Sequence, residues 1–287
     1  MFVSDQWKDY EILDTSSGEK LERFGAYRLI RPDPQIIWDT QRDPALWNRE
    51  IAARYERSSS GGGHWEINHL PKSWQIGYRD LVFQLKPMNF KHTGIFPEQA
   101  VNWDYCRGRI ESAGRPVSVL NLFAYTGAAS VACAKAGASV CHVDASRGMV
   151  DWAKENARAN GLSDAPIRYI VDDCKKFVER EIRRGRRYDA IIMDPPSYGR
   201  GPSGEIWKLE ESLCGFLRLC TQVLCDEPLF VLLNSYTTGL SPKVMEYLCG
   251  VSFEERFGGR CRAGELGLPV TKTGKILPCG ATVIWER

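Results

Sequence analysis

The sequence predicts an α/β fold, in which helices cover both faces of a mostly parallel sheet. Between residues 117 and 233, short apolar runs of strand length alternate with longer segments of helical periodicity. Four successive runs lead directly into polar residues of the kind that bind ligands. The carboxyl ends of the strands in such a sheet line its ligand-binding edge, so these polar residues are expected to form one site.

Residues 117–144 contain the clearest strand–loop–helix–strand pattern. The predicted elements are a strand at 117–122, a helix at 128–136 and a second strand at 139–143. Thr126 can cap the helix and Gly137 can end it. Gly127 allows a ligand to approach the backbone closely, and Asp144 can accept hydrogen bonds from the hydroxyls of a ribose. A helix-capping role explains Asp144 equally well.

Two further runs, at 167–171 and 188–193, are predicted to be parallel strands. The first is followed by Asp172 and Asp173, one of which can be explained as the cap of the next helix. The second leads into Asp194-Pro195-Pro196-Ser197-Tyr198. Both runs therefore place carboxylates at the predicted edge of the sheet.

The segment from Asp194 to Tyr198 is predicted to form a rigid turn that presents hydrogen-bond acceptors. Consecutive prolines cannot continue a strand ladder, so they impose a rigid extended turn. In that turn the Asp194 carboxylate and the Pro195 carbonyl can accept hydrogen bonds from an amino group. Tyr198 can stack on a planar base or, alternatively, pack on the core.

Together these motifs resemble those of the class I S-adenosylmethionine-dependent methyltransferases. More narrowly, Asn121-Leu-Phe-Ala-Tyr-Thr-Gly127 resembles the first motif of the bacterial 23S ribosomal RNA large-subunit methyltransferases. The resemblance covers roughly residues 88–287 and implies a Rossmann-like sheet of seven strands whose last strand is antiparallel. It also implies S-adenosyl-L-methionine as the cofactor and a nitrogen of ribosomal or other structured RNA as the methyl acceptor.

The resemblance further implies a set of site residues. In relatives, a Thr-Gly pair followed by an aromatic residue and a glutamine lies near the methionine end of the cofactor, and the acid that follows the third strand contacts the adenine. The implied cofactor-binding residues are His92, Thr93, Gly94, Phe96, Gln99, Asn121, Phe123, Tyr125, Thr126, Gly127, Asp144, Ala145, Ser146, Asp173 and Asp194. The implied catalytic residues are Asp194, Pro195, Pro196 and Tyr198, which act by positioning and electrostatics.

The composition indicates the cellular compartment and the kinds of partner to expect. The net charge of +2 is too small to indicate a nucleic-acid-binding protein by bulk charge alone. Ten cysteines without a Cys-x-x-Cys pair indicate buried free thiols in a reducing compartment, not disulfides or a zinc site. There is no apolar N-terminal segment and no apolar run of membrane-spanning length. We therefore expect a cytoplasmic protein with neither a membrane nor a metal partner.

Two domains are expected, a small β-rich domain at residues 1–86 and an S-adenosylmethionine-binding domain at 87–287. The β-like runs of the first domain lie at 10–13, 27–30, 36–38 and 81–85. Loops at 58–63 and 199–204 are predicted to be flexible, and the second carries positive charge near the expected active site.

The last part of the chain indicates whether the methyl group is transferred to a carbon or to a nitrogen of the base. A fifth strand is predicted at 229–233, and Tyr236 stands where relatives that form 5-methylcytosine need a cysteine nucleophile. We therefore expect transfer to nitrogen, unless Cys225 or Cys279 is brought to the site. The final predicted elements are strands at 251–256 and 281–286, with connecting loops at 264–269 and 272–278.

Three other functions stay open: methylation of a protein or a small molecule, nicotinamide-dependent oxidoreduction, and RNA binding without catalysis. A dinucleotide-binding enzyme would use a Gly-x-Gly-x-x-Gly loop to admit a pyrophosphate. Residues 121–127 instead contain one glycine and two aromatic residues, which favours a cofactor without phosphate. The oligomeric state stays open as well.

Overall fold

The chain divides into two compact units. The structure, a computed structural model, describes residues 1–58, 62–200 and 206–287, and only the backbone of Arg200. The β-rich unit consists of Val3–Ala100 with Gly267–Cys279, and the sheet unit of Met1–Phe2, Val101–Leu266 and Gly280–Arg287. Residues 59–61 and 201–205, which belong to the two predicted flexible loops, lie outside the described residues. The domain boundary between residues 86 and 87 stays a prediction.

The β-rich unit is built on two small sheets. The elements of the first hundred residues are β1 (Phe2–Val3), β2 (Tyr10–Ser16), β3 (Glu19–Phe24), β4 (Tyr27–Pro32), α1 (Pro44–Trp47), β5 (Ile51–Arg57), β6 (Gly63–Ile67), β7 (Trp74–Tyr78) and β8 (Leu81–Leu85). Strands β2 to β6 form one sheet in chain order, and β7 pairs with β8. The run at 36–38 is not a strand, because its carbonyls accept hydrogen bonds from Ser17 and Gly18 in the turn between β2 and β3.

A buried ion pair joins three strands of the larger sheet. Glu22 on β3 is fully buried, and Arg31 on β4 donates to both of its carboxylate oxygens, at 2.6 Å and 2.8 Å. The hydroxyl of Tyr10 on β2 donates to the same carboxylate at 2.6 Å. Burial alone would raise the pKa of Glu22, but the charges of Arg31 and Lys20 lower it to about 2. A buried carboxylate is tolerated here because Arg31 and Tyr10 donate three hydrogen bonds to it.

The sheet unit contains the long parallel sheet. Its elements are α2 (Ala100–Glu111), β9 (Ser118–Leu122), α3 (Ala128–Lys135), β10 (Ser139–Asp144), α4 (Arg147–Ala159), β11 (Ile167–Val171), α5 (Cys174–Arg183), β12 (Ala190–Met193), β13 (Tyr198–Arg200), β14 (Ile206–Lys208), α6 (Leu209–Cys220), β15 (Phe230–Ser235), α7 (Pro242–Cys249), α8 (Glu255–Phe257), β16 (Arg260–Pro269) and β17 (Ile276–Glu286). The strand order is β1-β16-β17-β15-β12-β9-β10-β11, and β17 runs antiparallel to β15. The predicted Rossmann-like sheet is confirmed, with β1 as an additional edge strand.

Apolar layers cover both faces of this sheet. On one face, Phe177 of α5 and Phe216 of α6 pack against Leu120 and other residues of the central strands. On the other face, Cys106 of α2 packs against Val119. Successive residues of β9 thus point to opposite layers, as expected for a strand buried on both sides. Among the described residues, no helix has the length and apolar character that crossing a membrane requires.

The predicted strand at 251–256 is wrong. This segment continues α7 as a π-helical turn, Gly250–Glu254, which leads into α8. Met245, Cys249 and Phe253 are buried at intervals of four residues, so the apolar pattern is helical across the whole segment. The sixth strand of the sheet is instead β16, which includes the predicted loop at 264–269, and β17 begins within the second predicted loop.

Candidate active site

The loop between β9 and α3, residues 123–127, has an unusual backbone. Phe123, Tyr125 and Gly127 have φ angles of 54°, 51° and 81°. Residues other than glycine seldom adopt this left-handed conformation, which costs about 1–3 kcal/mol for each of them. Such strain persists only where surrounding contacts determine the backbone, and it is concentrated at functional sites.

Asp144, the last residue of β10, supplies two of these contacts. Its Oδ2 accepts a hydrogen bond from Tyr125 N and its Oδ1 from Ser146 N, each at 2.8 Å. Burial raises the pKa of Asp144, and the two N–H groups oppose that rise. Ala145 lies between these anchored positions, and Ser146 is the N-cap of α4 without a side-chain capping bond. Each carboxylate oxygen can accept a further hydrogen bond, so Asp144 keeps the capacity to bind two ribose hydroxyls.

Four of the five backbone N–H groups of residues 123–127 are already used within the protein. A pyrophosphate-binding loop needs N–H groups that point at the phosphate oxygens. This loop offers a carboxylate acceptor and aromatic surface instead, which fits an adenosine-containing cofactor that has no phosphate. The bonds run from Phe123 N to Cys174 Sγ (3.2 Å), from Ala124 N to Val143 O (3.0 Å), from Tyr125 N to Asp144 (2.8 Å) and from Gly127 N to Ala124 O (3.0 Å).

The end of β11 lies beside the same loop. Asp172 N donates to Asp144 O at 3.1 Å, and the carboxylate of Asp172 pairs with Arg180 on α5. Asp173 is the N-cap of α5 and accepts a hydrogen bond from Lys176 N at 2.9 Å. Both aspartates therefore have structural partners. The adenine contact implied for Asp173 stays a prediction.

The turn after β12 is fixed by residues that no sequence signal marks. Pro196 O accepts a hydrogen bond from Trp207 Nε1 at 2.6 Å, and Ser197 Oγ lies 2.6 Å from Thr237 Oγ1. Tyr198 begins β13 with its side chain 52% exposed, so it does not pack in the core. Trp207 reaches the turn through the antiparallel pairing of β14 with β13, and Thr237 comes from a distant part of the chain.

Three aromatic rings connect the two loops. The ring of Phe123 lies 5.3 Å from Trp207 and 5.7 Å from Phe216, and the rings of Trp207 and Phe216 are 5.5 Å apart. Each pair is tilted or edge-on, the arrangement that aromatic rings prefer. Because Trp207 also bonds to Pro196 O, this aromatic cluster ties the loop after β9 to the turn after β12.

The register of the strands brings Asp144 and Asp194 to one level. Leu122 of β9 pairs with Val143 of β10 on one side and with Met193 of β12 on the other. Asp144 and Asp194 are the next residues along their strands. Since neighbouring strands lie about 4.8 Å apart, two spacings separate them by roughly 10 Å across the Phe123 loop.

A chain of buried polar groups supports the loop from below. Asn121 Nδ2 donates to Ser130 Oγ at 2.9 Å, and Ser130 Oγ lies 3.0 Å from His142 Nδ1. Burial lowers the pKa of His142 to about 3, so its imidazole is neutral. Asn121 is only 3% exposed, and its amide nitrogen serves this chain. Its implied contact with the cofactor stays a prediction.

The helix after the loop begins at Ala128, as predicted, but its cap is not the predicted residue. Gly127, and not Thr126, is the N-cap of α3 and makes no side-chain capping bond. The carbonyl of Thr126 instead accepts a hydrogen bond from Asn156 Nδ2 at 2.8 Å. A Cβ at Gly127 would lie 2.7 Å from Ala153 Cβ and 3.3 Å from His142 Cε1. Glycine is thus needed for both the backbone conformation and the packing of α3 on α4.

Five of the predicted cofactor-binding residues belong to the β-rich unit, and their contact with the cofactor stays a prediction. Thr93 Oγ1 is buried and has no hydrogen-bond partner within the described part of the chain. Such an orphaned hydroxyl is a candidate for bonding to a ligand. Burial, reinforced by the charges of Arg31 and Lys91, lowers the pKa of His92 to about 4. The five residues are His92, Thr93, Gly94, Phe96 and Gln99.

Comparison with known proteins identifies the family. The family model for S-adenosylmethionine-dependent methyltransferases matches residues 45–225, which is more than half of the chain. The chain belongs to this family. Its cofactor is therefore S-adenosyl-L-methionine, in agreement with a loop that offers acceptors and no free phosphate-binding donors. The predicted cofactor is confirmed.

Relatives of this methyltransferase include a solved structure and several curated proteins. The crystal structure of the SAM-dependent methyltransferase from Agrobacterium tumefaciens is 37% identical, with a TM-score of 0.94 over 99% of this chain and 92% of that one. "Ribosomal RNA large subunit methyltransferase K/L" of Pseudoalteromonas atlantica is 31% identical over 61% of this chain and 24% of that protein. The protein of the same name from Shewanella frigidimarina is 35% identical over 48% and 19%. The chain spans about a quarter or less of the length of these two curated relatives.

Replacement of Gly127 should reveal the packing requirement at the loop. Gly127→Ala and Gly137→Ala both place a side chain at a left-handed φ, 81° and 93°, which costs about 1–2 kcal/mol. Only at Gly127 does the new methyl group meet packed atoms, which should add about 1–3 kcal/mol to the loss. Urea unfolding measures the free energy of unfolding of both variants. Equal losses would contradict the prediction, because they would mean that α4 moves to admit the new methyl group at no energetic cost.

The buried His142 should make the methyltransferase sensitive to acid. The unfolded chain protonates this imidazole below about pH 6.5, whereas the folded protein does so only near pH 3, so stability is lost as the pH falls between these values. His142→Gln should therefore flatten the fall in unfolding free energy by up to about 1.4 kcal/mol per pH unit between pH 6 and 4. His69→Gln, at an exposed histidine, is the control. Parallel curves for His142→Gln and the parent would contradict the prediction.

Proposed function

We propose that this methyltransferase transfers a methyl group to a nitrogen of a base in ribosomal RNA. The observation that carries the proposal is the common level of Asp144 and Asp194 on either side of β9, below the loop that contains Phe123. One strand end offers acceptors to the cofactor and the other offers acceptors to the substrate. The two are separated by roughly 10 Å, about two strand spacings.

On the cofactor side, residues of the chain would bind S-adenosyl-L-methionine and orient it. When bound, S-adenosyl-L-methionine supplies a methyl group that is already activated by the positive charge on its sulfur. Asp144 would hold the ribose through the acceptor capacity that Tyr125 N and Ser146 N leave unused. Asp173 would contact the adenine, and the rigid Phe123 loop would fix the position of the nucleoside.

On the substrate side, Asp194 and Pro195 would orient the acceptor nitrogen. Their carboxylate and carbonyl oxygens would accept the N–H groups of the base, which directs the nitrogen lone pair away from them. The carboxylate also stabilises the positive charge that develops on nitrogen during transfer. The half-exposed ring of Tyr198 would give the base a surface on which to stack. The chain thus contributes positioning and electrostatics, and no covalent intermediate is required.

The cysteines support nitrogen rather than ring carbon as the acceptor. Carbon methylation of cytosine needs a thiolate at the substrate. Cys174, at the first loop, is buried, and burial raises the pKa of its thiol well above the ordinary value. Cys225 lies at the opposite end of β12, where its Sγ is 3.4 Å from Asp189 Oδ1. Neither thiol is suited to attack a base that is held at Asp194.

RNA is proposed as the substrate class on two grounds. The curated relatives are named as ribosomal RNA large-subunit methyltransferases. Tyr198 presents an aromatic face at the turn that would hold the methyl acceptor. A ribosomal substrate would place the protein in the cytoplasm.

Two variants should separate cofactor binding from methyl transfer. Asp144→Asn should weaken S-adenosyl-L-methionine binding by roughly 10- to 100-fold, because charge-assisted hydrogen bonds contribute about 1.5–3 kcal/mol. Asp194→Asn should change that affinity far less but lower the transfer rate by roughly 100-fold, since the lost charge acts mainly in the transition state. Isothermal calorimetry measures binding, and tritiated methyl transfer to RNA from cells that lack the gene measures the reaction.

The matched control is Asp151→Asn, on the exposed side of α4, where the carboxylate forms only a surface ion pair with Lys154. It should behave as the parent in both measurements. Protein and small-molecule fractions are assayed beside the RNA. Incorporation only into one of those fractions would rule out the RNA substrate, and Asp144→Asn binding the cofactor like the parent would contradict the assigned site.

A further inference from the structure

The segment that follows β8, residues 86–93, folds back on itself and presents an aromatic residue. Phe90, at the tip of this Phe90 turn, is 52% exposed, although large apolar side chains are usually buried. Its ring packs edge-on against His92, at a centroid distance of 5.9 Å. Two backbone bonds close the turn, from Lys86 N to Thr93 O and from Met88 N to His92 O, each 3.2 Å long.

Side chains from two strands of the β-rich unit anchor the turn. Trp65 on β6 donates from Nε1 to Met88 O at 2.9 Å and to Phe90 O at 3.1 Å. Arg31 on β4, which holds the buried Glu22, also donates to Lys91 O at 3.0 Å. The turn is therefore ordered on both sides of Phe90. Its exposed ring is displayed by a fixed backbone, which reduces the entropy that a ligand would have to overcome on binding.

Positive charge surrounds the turn. Lys91 donates from Nζ to Pro32 O at 3.1 Å at its base. Burial, together with the charges of Lys20, Arg31 and Arg57, lowers the pKa of Lys91 to about 8, although Asp33 opposes the shift. Burial is the largest cause of this shift, and the three neighbouring cations add to it.

The carboxylates in this region neutralise only part of that charge. Glu22 is paired with Arg31 and lies 3.5 Å from Lys20, and Asp33 lies 3.3 Å from Lys20. Glu98 also acts on Arg31, so the four cations Lys20, Arg31, Arg57 and Lys91 face three carboxylates and an excess of one positive charge is left. A region with such an excess attracts an anion, and a polyanion gains most from it.

We propose that the Phe90 turn is a stacking platform for an unpaired base of the RNA substrate, and that Lys91 and the exposed Arg57 hold the adjacent phosphates. An aromatic face beside basic side chains is the arrangement by which proteins bind single strands. A protein partner that covered Phe90 with apolar groups would leave the excess cations without a counterpart. The inference rests on the proposed function, because it takes the substrate to be RNA.

The test uses the full chain with S-adenosylhomocysteine and a fluorescein-labelled oligoadenylate of about 12 nucleotides, with anisotropy as the readout. Phe90→Ala should weaken binding by roughly 5- to 100-fold, the loss of one stacked base. Phe90→Trp should restore it. Ile37→Ala, at an apolar side chain of the same unit that is 89% exposed, should have no effect. Cofactor affinity and melting temperature should be unchanged in all three variants.

The charge component is tested by salt dependence. Lys91→Gln should lower the slope of log affinity against log salt concentration by about 0.7, the value for one phosphate contact on a single strand. Lys72→Gln, at an exposed lysine of the same unit, is its control and should leave the slope unchanged. An unchanged slope for Lys91→Gln would overturn the assignment of the cations.

Two results would overturn the role of Phe90: Phe90→Ala binding oligoadenylate like the parent, or Phe90→Trp failing to restore binding. Methyl transfer by the parent is measured in parallel. If the parent methylates RNA and Phe90→Ala binds and methylates equally well, only the role of the turn is wrong. If the parent methylates no RNA at all, the proposed function itself is wrong and the role of the turn is lost with it.

Discussion

The site depends on one carboxylate that holds two backbone N–H groups. Asp144 anchors Tyr125 N and Ser146 N, and so determines how the chain leaves both β9 and β10. Without it, the left-handed conformations of Phe123 and Tyr125 would relax, since nothing in their own side chains favours them. The strained backbone of the loop is thus held by the Asp144 carboxylate. This carboxylate can accept further hydrogen bonds, and it lies where we propose that a ribose binds.

The aromatic cluster extends this constraint across the sheet. Phe123 is fixed by the loop, its ring packs on Trp207, and Trp207 bonds to the carbonyl of Pro196. A displacement of the loop after β9 would therefore also shift the turn that carries Asp194. The loop after β9 and the turn after β12 are thus coupled through packed rings, which transmit small shifts because protein interiors have low compressibility.

The sequence predicts those parts of the fold whose signals are local. The strands at β9, β10, β11 and β12 are apolar runs between breakers, and the polar residues after them follow from position alone. The error at 251–256 arose because Val251 and Phe253 alternate like a strand, while the helical spacing of Met245, Cys249 and Phe253 is visible only over a longer window. Contacts such as Ser197 with Thr237 or Phe123 with Cys174 join residues that are distant in sequence, so no local pattern contains them.

The choice between cofactor classes follows from the hydrogen-bond partners of the backbone N–H groups in one loop, residues 123–127. A dinucleotide needs backbone N–H groups that are free to meet its phosphates, and the glycines of its fingerprint exist to expose them. In this chain the N–H groups of Phe123, Ala124 and Tyr125 end on a thiol, a strand carbonyl and a carboxylate. Aromatic residues can occupy the loop because no phosphate has to approach it. The same hydrogen bonds explain why a single glycine, Gly127, is sufficient: it serves the packing of α3 on α4.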